Sequence, residues 1–513
     1  MFLLFSLLNL GACSGAAETP TAPSTQGGPP ATAAAETPGV PLEGGKTSVL
    51  FVVFDTTRAD HLGAYGYPHA TSPTIDRLAG EGVRFSQFIS NSSWTRPAFT
   101  SLLTGRHGRE VGIYEERFDH LPDSAVMLSE RFAEKGYVTL GANSNANVDA
   151  VFGYAQGYTE YVDATAVWKH VKPKEGTGQV QVADNVLLDD ALVVNGKVDG
   201  LLDRHAEALK SKPYFLKVVY IDPHRPWAPT DEEKSRMRGS KSVDYDAEIR
   251  DADDALAALL AGLERRGLMN NTLVVVVSDH GEGLQSHPGL PYAMFHGHTV
   301  YDSVIHVPLV LHHPALSQRV VDQLAQSIDL VPTLTDLLGF GVPADVSGSS
   351  LAPLVTGSGP VSDLPTEVFV ESDFASNYKL AVRTETELYI RNDDARRYRV
   401  DGCHEGTKLD EKLKEHLEML PDEELYPAGG QQVLAQNQAG SNTSRRAALA
   451  ALLGAWERKV PAQEPDSRVR NDGMTCKDGT FKPSFAAKSG AEPGIDAATR
   501  GQLEAMGYLD AGH

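Results

Sequence analysis

The sequence predicts an α/β fold, with a large, mostly parallel sheet between helices and a small C-terminal antiparallel sheet and helix. Continuous apolar segments alternate with amphipathic helical segments from residue 46 to about residue 340, which is typical of a parallel sheet covered on both faces. Short strand-like segments at hairpin spacing follow after about residue 341. The chain has 513 residues, of which 41% are hydrophobic, so it can bury a large core.

The first part of the chain supplies the large sheet. Strands are predicted at 48–55, 137–142, 214–221, 273–278 and 307–311, and helices at 72–81, 123–135, 201–210 and 245–266, with a helix start at 100–104. Two of these strands lead directly into an acid, Asp55 and Asp279. In sheets of this kind the site lies beyond the carboxyl ends of the strands. We therefore expect both carboxylates to reach the same crevice.

The second part predicts the smaller sheet. Strands are expected at 366–370, 378–383, 387–391 and 397–400, and a helix at 444–456. In an oxidising compartment Cys403 and Cys476 could form a disulfide, and two unrelated free thiols are the alternative. The predicted division is a signal peptide at 1–12, a tether at 13–46, a large domain at 47–345 and a C-terminal subdomain at 346–513.

Charge and cysteine content exclude several classes of protein. The chain has 46 basic and 68 acidic residues, a formal net charge of −22. Such a chain is a poor partner for nucleic acid, whose phosphates are bound by replacing counterions with basic side chains. Three cysteines cannot form a disulfide scaffold or a four-cysteine zinc site.

The N-terminal segment predicts export. Residues 2–12 form an apolar run that is too short for the ~20 residues of a membrane span and has the length of a signal-peptide core. The run ends in Leu-Gly-Ala before Cys13, which resembles the lipobox of bacterial lipoproteins, although no basic residue precedes it. The resemblance implies cleavage before Cys13 and acylation of its sulfur. A plain secretory signal, or a cytoplasmic protein with an apolar tail, are the alternatives.

Residues 14–46 are rich in Ala, Pro, Thr, Gly and Ser, a composition typical of a flexible tether. A tether after an acylated cysteine predicts a protein anchored in the bacterial cell envelope, on the periplasmic or outer-membrane side.

Two strand-end motifs predict a metal site. The segment FDTTRAD places Asp55 at the end of a buried strand, where an unpaired carboxylate is costly and a divalent metal or fixed cation would offset the cost. Capping of the next turn by Asp55 is the alternative. The segment SDHGEG places Asp279 and His280 after another buried strand. Carboxylate plus imidazole suits a transition metal or zinc better than calcium.

A third motif, SWTRPAFTSLLTG, predicts the start of a helix. Pro97 suits the first helical turn, which places the Thr95 hydroxyl at the positive end of the helix dipole. That position would favour an alkoxide or a bound oxyanion. A simple N-cap role for Thr95 is the alternative.

Together these motifs resemble the sulfatases of the alkaline phosphatase superfamily. The resembling segments are 55–67 (DTTRADHLGAYGY), 72–85 (SPTIDRLAGEGVRF), 222–227 (DPHRPW), 245–249 (YDAEI), 271–284 (NTLVVVVSDHGEGL), 296–302 (HGHTVYD), 329–339 (DLVPTLTDLLG) and 503–509 (LEAMGYL). They occur in the family's order and are dense between residues 48 and 339. The resemblance implies the sulfatase fold, with 47–345 as the catalytic domain.

The resemblance also implies a single-metal esterase. The implied metal ligands are Asp55, Thr95, Asp279 and His280. Thr95 falls where sulfatases place a cysteine or serine that becomes formylglycine. His224 and His296 fall near positions that contact substrate oxygens or protonate the leaving group. Weaker candidates for substrate contacts are Arg58, His107 and His298.

Three departures from the family pattern change the expected chemistry. Thr95 replaces the usual cysteine or serine, and Phe99 stands where formylglycine sulfatases usually have arginine, so formylglycine is not expected. A metal-bound threonine is the nucleophile type of related phosphotransferases, such as phosphoethanolamine transferases and lipoteichoic acid synthases. Thr56 stands where calcium-type sulfatases often have a second Asp. With His280, it favours one manganese or zinc ion, with calcium as the alternative.

Three functions follow as hypotheses. The first is a metal-dependent hydrolase of sulfuric or phosphoric esters with Thr95 as nucleophile. The second is a phosphotransferase or phosphodiesterase acting on envelope lipids or glycans. The third is a non-catalytic lipoprotein that binds anionic glycans. The expected partners are a small-molecule, glycan or lipid ester and, through the anchor, a membrane, but no nucleic acid.

Overall fold

A computed structural model describes most of the chain between residues 42 and 463. The described ranges are 42–114, 120–164, 167–168, 172–173, 180–181, 186–187, 190–359, 364–374, 377–392, 415–416, 418–429 and 432–463. Cys13, Cys403, Cys476, the predicted strand at 397–400 and the terminal motif at 503–509 lie outside the described residues, so the predictions made for them stay predictions.

The strands are short to medium in length. They are β1 (Ser48–Phe54), β2 (Val83–Ile89), β3 (Val138–Ala142), β4 (Glu160–Val162), β5 (Val167–Trp168), β6 (Lys172–Pro173), β7 (Val180–Gln181), β8 (Val186–Leu187), β9 (Tyr214–Tyr220), β10 (Thr272–Val277), β11 (His306–His312), β12 (Arg319–Val321), β13 (Ala325–Gln326), β14 (Glu367–Phe374), β15 (Asn377–Thr384), β16 (Glu387–Asn392) and β17 (Glu423–Pro427).

The helices lie between these strands. They are α1 (Pro73–Glu81), α2 (Thr95–Thr104), α3 (Leu128–Glu134), α4 (Ala191–Arg204), α5 (Ala206–Leu209), α6 (Asp231–Arg236), α7 (Val243–Arg265), α8 (Asp302–Ile305), α9 (Leu330–Leu337), α10 (Ala352–Thr356) and α11 (Thr443–Lys459). None of these described helices has the length and apolar composition needed to cross a bilayer.

The large sheet has nine strands and confirms the predicted fold class. Eight follow the order β12-β2-β11-β10-β1-β9-β3-β4, and β13 pairs with β2. Only β11 runs against the others, through antiparallel pairing with β10 and β2. Alternate residues of β1 face opposite sides: Val49 and Phe51 join one core cluster, and Leu50 and Val52 join the other. The sheet is therefore covered on both faces, which explains its continuous apolar strands.

Several predicted boundaries differ from the structure. The helix predicted at 123–135 begins only at Leu128, and the one predicted at 201–210 begins ten residues earlier, where Asp190 accepts a hydrogen bond from the Val193 amide. Strand β2 was not predicted, because its sequence VRFSQFI mixes polar and apolar residues.

The small sheet is antiparallel, in the order β14-β15-β16-β17, and confirms the predicted C-terminal architecture. Helix α11 packs on it through Leu449, Leu453 and Trp456. Trp456 stacks on Phe369 of β14, with ring centroids 5.1 Å apart. The other face joins residues near the large sheet, such as Tyr301.

A buried lysine lies in the middle of the large sheet. Lys217 of β9 is 0% exposed and donates a hydrogen bond to the Tyr161 hydroxyl at 3.0 Å. Its ammonium lies 4.7 Å from the ring centre of Tyr161 and 5.6 Å from those of Tyr158 and Phe99. Burial lowers the pKa of Lys217 from 10.5 to about 7, and this shift is opposed by Asp163 and Asp149.

The lysine makes stability dependent on pH. Between pH 7 and 10.5 the unfolded chain binds more protons at Lys217 than the folded chain does, so this residue's contribution to stability rises with pH. We expect wild type to gain roughly 2 kcal/mol relative to Lys217→Met between pH 7 and 9. Chemical denaturation at both pH values measures this difference. The exposed control Lys212→Met should track wild type, and parallel pH profiles for wild type and Lys217→Met would contradict the prediction.

Candidate active site

The site is built where two neighbouring strands and one helix end. Strands β1 and β10 are parallel, with Val53 opposite Val277, so Asp55 and Asp279 leave the sheet at the same edge. Helix α2 begins at Thr95, with Trp94 in the N-cap position. Thr95 is thus the first residue of the helix rather than its cap, and its hydroxyl lies at the positive end of the helix dipole.

These elements bring four predicted residues together. One ligand atom from each of Asp55, Asp279 and His280 lies within 4.8 Å of the other two, and all three residues are buried. The Thr95 hydroxyl lies 3.3 Å from His280 Nε2. His280 Nε2 is also 3.3 Å from Asp279 Oδ2. Two carboxylates, an imidazole and a hydroxyl therefore face one small buried space.

Hydrogen bonding around His280 makes this space a candidate cation site. His280 Nδ1 lies 3.0 Å from the Gly281 carbonyl oxygen. A carbonyl only accepts hydrogen bonds, so Nδ1 carries the proton, and burial lowers the pKa of His280 so that the ring is neutral. Nε2 is then an acceptor that can accept a hydrogen bond from the Thr95 hydroxyl and that also faces the Asp279 carboxylate, itself an acceptor. A metal ion between them resolves this opposition, as in sites where the second ring nitrogen is fixed by a hydrogen bond.

The carboxylates point to the same conclusion. Asp55 Oδ1 and Asp279 Oδ2 are buried and have no hydrogen-bond partner among the described residues. Burial, and then the nearby Asp279, raises the pKa of Asp55 well above its usual range. Burial also raises the pKa of Asp279 to about 7. Two such carboxylates are costly without a counter-charge, and a divalent cation supplies it.

The remaining oxygens of both carboxylates are held by the protein. The Asn145 side-chain amide donates to Asp55 Oδ2 at 2.5 Å. Asp279 Oδ1 accepts from the backbone amides of His280 at 2.8 Å and Thr56 at 3.2 Å. Thr56 adopts a positive φ of 52°, an uncommon conformation for a β-branched residue that is typical of functional sites.

Two further histidines lie beside this cluster. The His296 ring centre lies 4.7 Å from that of His280 and 4.8 Å from that of His224. Burial lowers the pKa of both His224, to about 3, and His296. His224 Nδ1 contacts the Arg225 carbonyl oxygen. His296 Nδ1 instead lies 3.4 Å from Oε2 of the buried Glu282.

The three weaker candidates lie in different surroundings. The Arg58 guanidinium is bound to Asp60, Ser286 and the Glu282 carbonyl oxygen, so it braces the loop after His280. His298 packs against Tyr292 and Phe374, with ring centroids 4.7 and 5.0 Å away.

His107 lies beyond the far end of α2, about 15 Å along the helix from Thr95. Its ring packs edge-on against Trp456 at 5.2 Å. The structure brings His107 into contact with the C-terminal helix rather than with the Thr95 cluster.

Two residues of the site were not predicted. Asn145 follows β3 in the polar segment NSNAN, and its role depends on β3 lying two strands from β1. Glu282 stands within the DHGEG motif, two residues after His280. The sequence signal for Glu282 was its position two residues beyond a predicted metal ligand. An acid buried at such a position requires a partner, which places it near the other polar groups of the site.

Comparison with known proteins agrees with the fold. The sulfatase family model matches residues 47–340. An ulvan-active sulfatase from Formosa agariphila is 24% identical over 67% of this chain and 73% of that protein. Arylsulfatase A from Bos taurus is 27% identical over 61% and 68%, and a Δ4,5-hexuronate-2-O-sulfatase from Bacteroides thetaiotaomicron is 24% identical over 65% and 76%.

Solved structures share the fold. A protein solved in complex with its substrate D-glucosamine-2-N,6-O-disulfate superimposes with a TM-score of 0.61 at 16% identity, over 82% of this chain and 99% of that one. A 2-O GAG sulfatase gives a TM-score of 0.59 at 20% identity, over 81% and 92%. The chain belongs to the sulfatase family, whose relatives among the matches are sulfuric ester hydrolases.

Proposed function

We propose that this protein is a metal-dependent sulfuric ester hydrolase in which Thr95 is the nucleophile. The observation that carries the proposal is the placement of the Thr95 hydroxyl 3.3 Å from His280 Nε2, in the space faced by two unpartnered carboxylate oxygens. The ion would be held by Asp55, Thr95, Asp279 and His280. This donor set favours manganese or zinc over calcium, because one donor is an imidazole.

A bound divalent ion supplies Lewis acidity and lowers the pKa of a coordinated hydroxyl. The protein contributes position: the first turn of α2 holds Thr95 Oγ1 at the positive end of the helix dipole, where an alkoxide is favoured. Thr95 Oγ1 forms a bond to sulfur while the bond from sulfur to the leaving oxygen breaks. Water then attacks the sulfur of the threonine ester, the bond from sulfur to Thr95 Oγ1 breaks, and sulfate leaves while a proton from the water restores the Thr95 hydroxyl.

His296 is the better proton donor of the two histidines. The Glu282 carboxylate lies 3.4 Å from its Nδ1, where an anion favours the protonated ring, whereas His224 Nδ1 contacts the Arg225 carbonyl oxygen. We therefore assign protonation of the leaving oxygen to His296 and contact with the ester oxygens to His224.

This assignment predicts a dependence on the leaving group. His296→Ala should slow cleavage of a sugar O-sulfate, a poor leaving group, by about 10²–10⁴-fold. The same substitution should slow cleavage of p-nitrophenyl sulfate far less, because nitrophenolate is a good leaving group that needs no proton. kcat/KM for both substrates measures the effect, with His224→Ala as the comparison. Equal losses on the two substrates would contradict the role of His296.

Sulfated saccharides are the proposed substrate class, since the relatives include sulfatases named for ulvan and for hexuronate 2-O-sulfate. Phosphoric esters are the second candidate, because Thr95 and Phe99 replace the residues on which formylglycine depends. Hydrolysis of p-nitrophenyl sulfate, phosphate and phosphodiester substrates, assayed in parallel on the full chain, separates the two. Activity on phosphate esters alone would overturn the sulfatase proposal.

We also propose that the protein is anchored in the bacterial envelope through an acylated Cys13. The basis is the apolar run followed by Leu-Gly-Ala-Cys and a tether. Labelling with a fatty-acid analogue in cells tests the proposal, since label should appear on wild type and be lost in Cys13→Ala.

A further inference from the structure

A cleft lies along the segments that carry the two histidines of the site, His224 and His296. It is lined by Arg225, Trp227, Lys241, Ser242, Val243, Asp244, Leu284, Gln285 and Met294. Three of the lining residues are close in sequence to residues of the site. Arg225 follows His224, and Leu284 stands two residues after Glu282. Met294 stands two residues before His296. A ligand in the cleft would thus lie along the segments that carry His224, Glu282 and His296.

Arg225 is held in place and forms no ion pair with a described residue, although the carboxylates of Glu282 and Asp244 lie near enough to favour its charged form. Its guanidinium lies 3.9 Å from the Trp227 ring centre and 5.3 Å from that of Phe295. The Trp227 indole is fixed in turn by a 2.8 Å hydrogen bond to the Pro223 carbonyl oxygen. Arg225 Nε is buried and has no hydrogen-bond partner among the described residues. A guanidinium that stacks on aromatic rings can still donate hydrogen bonds from its planar edge to a carboxylate.

The charge of the cleft differs from that of the chain. Arg225 and Lys241 supply two cations, and the residues described here provide no ion pair for either. The one acid in the lining, Asp244, is paired with Lys234 at 3.1 Å. In a protein of net charge −22, a cleft with two cations that form no ion pair attracts an anion locally.

We propose that this cleft binds the uronate carboxylate of an acidic saccharide, next to the sugar that carries the cleaved ester. The proposal rests on the proposed function for the orientation of the saccharide. Arg225 receives the carboxylate and Lys241 adds a second positive charge. The apolar side chains of Leu284 and Met294 contact the sugar ring.

Binding of an unsulfated disaccharide tests the proposal without any reaction. Calorimetry on the full-length wild-type protein compares glucuronyl-N-acetylglucosamine with its uronate methyl ester, which has the same shape but no charge. We expect the acid to bind about tenfold more tightly, as one charge-assisted contact provides. Arg225→Gln should abolish that preference, and Lys241→Gln should reduce it.

The control is Lys212→Gln, an exposed lysine just before β9, at the opposite edge of the sheet from the site. It should retain the full preference. Equal binding of acid and ester, no binding of either, or a preference that survives Arg225→Gln would overturn the proposal. Because no ester is cleaved, loss of the proposed hydrolase function would leave this result unchanged, and the two can fail separately.

Discussion

Replacing Thr95 with alanine should lower kcat for the best substrate by about 10⁴-fold or more, the loss typical of removing a nucleophile. The expected loss is in kcat, because the histidines and cleft that bind substrate remain. Folding should be preserved, since a buried hydroxyl is removed without burying a new polar group. Steady-state kinetics together with a thermal unfolding curve measure both expectations.

Two other substitutions at Thr95 sharpen this prediction. Thr95→Ser keeps the hydroxyl and should retain activity within about one order of magnitude, because it loses only a methyl group. Thr95→Cys should not restore formylglycine chemistry, because Phe99 stands where the modified sulfatases have arginine. Full activity in Thr95→Ala would exclude Thr95 as the nucleophile.

Removing the metal should abolish activity and destabilise the protein. Without a cation, the carboxylates of Asp55 and Asp279 are buried next to each other with no metal charge to stabilise their ionised forms, which destabilises the folded protein. We expect chelation to lower Tm and eliminate turnover, and added Mn²⁺ or Zn²⁺ to restore both, because an ion that binds only the folded state stabilises it. Asp279→Asn should lower the metal content and make Tm insensitive to chelator.

A matched control exists in Asp253, a buried acid outside the site that accepts hydrogen bonds from the backbone amides of Thr74 and Ile75. Asp253→Asn should lower stability but leave the bound metal unchanged by elemental analysis. The metal assignment fails if wild type contains no stoichiometric divalent ion, or if Asp279→Asn binds as much metal as wild type.

The order of strands explains why so much could be predicted from the sequence. Asp55 and Asp279 are visible as acids at the ends of apolar runs, and their strands β1 and β10 are direct neighbours, so proximity follows from topology. The same logic covers His280, which stands next to Asp279 in sequence. The positions of these residues are set by the strands that carry them, and local sequence patterns predict such strands well.

Residues that act through side-chain contacts were harder to predict. Asn145 reaches Asp55 from the loop after β3, a strand separated from β1 by β9. Nothing in the local sequence shows that this loop folds over the edge of the sheet. His107 shows the converse, because a histidine close to Thr95 in sequence lies at the other end of a straight helix, against Trp456.

The hydrogen bonds to the second oxygen of each carboxylate have a consequence for ion selectivity. Asn145 donates to Asp55 Oδ2, and two backbone amides donate to Asp279 Oδ1, so bidentate binding of an ion by either acid would compete with these hydrogen bonds. Among the described residues, the proposed ligands then offer four donor atoms, which are two carboxylate oxygens, one imidazole nitrogen and the Thr95 hydroxyl. That low denticity matches a small ion with open positions for water and substrate, whereas calcium requires six to eight oxygens.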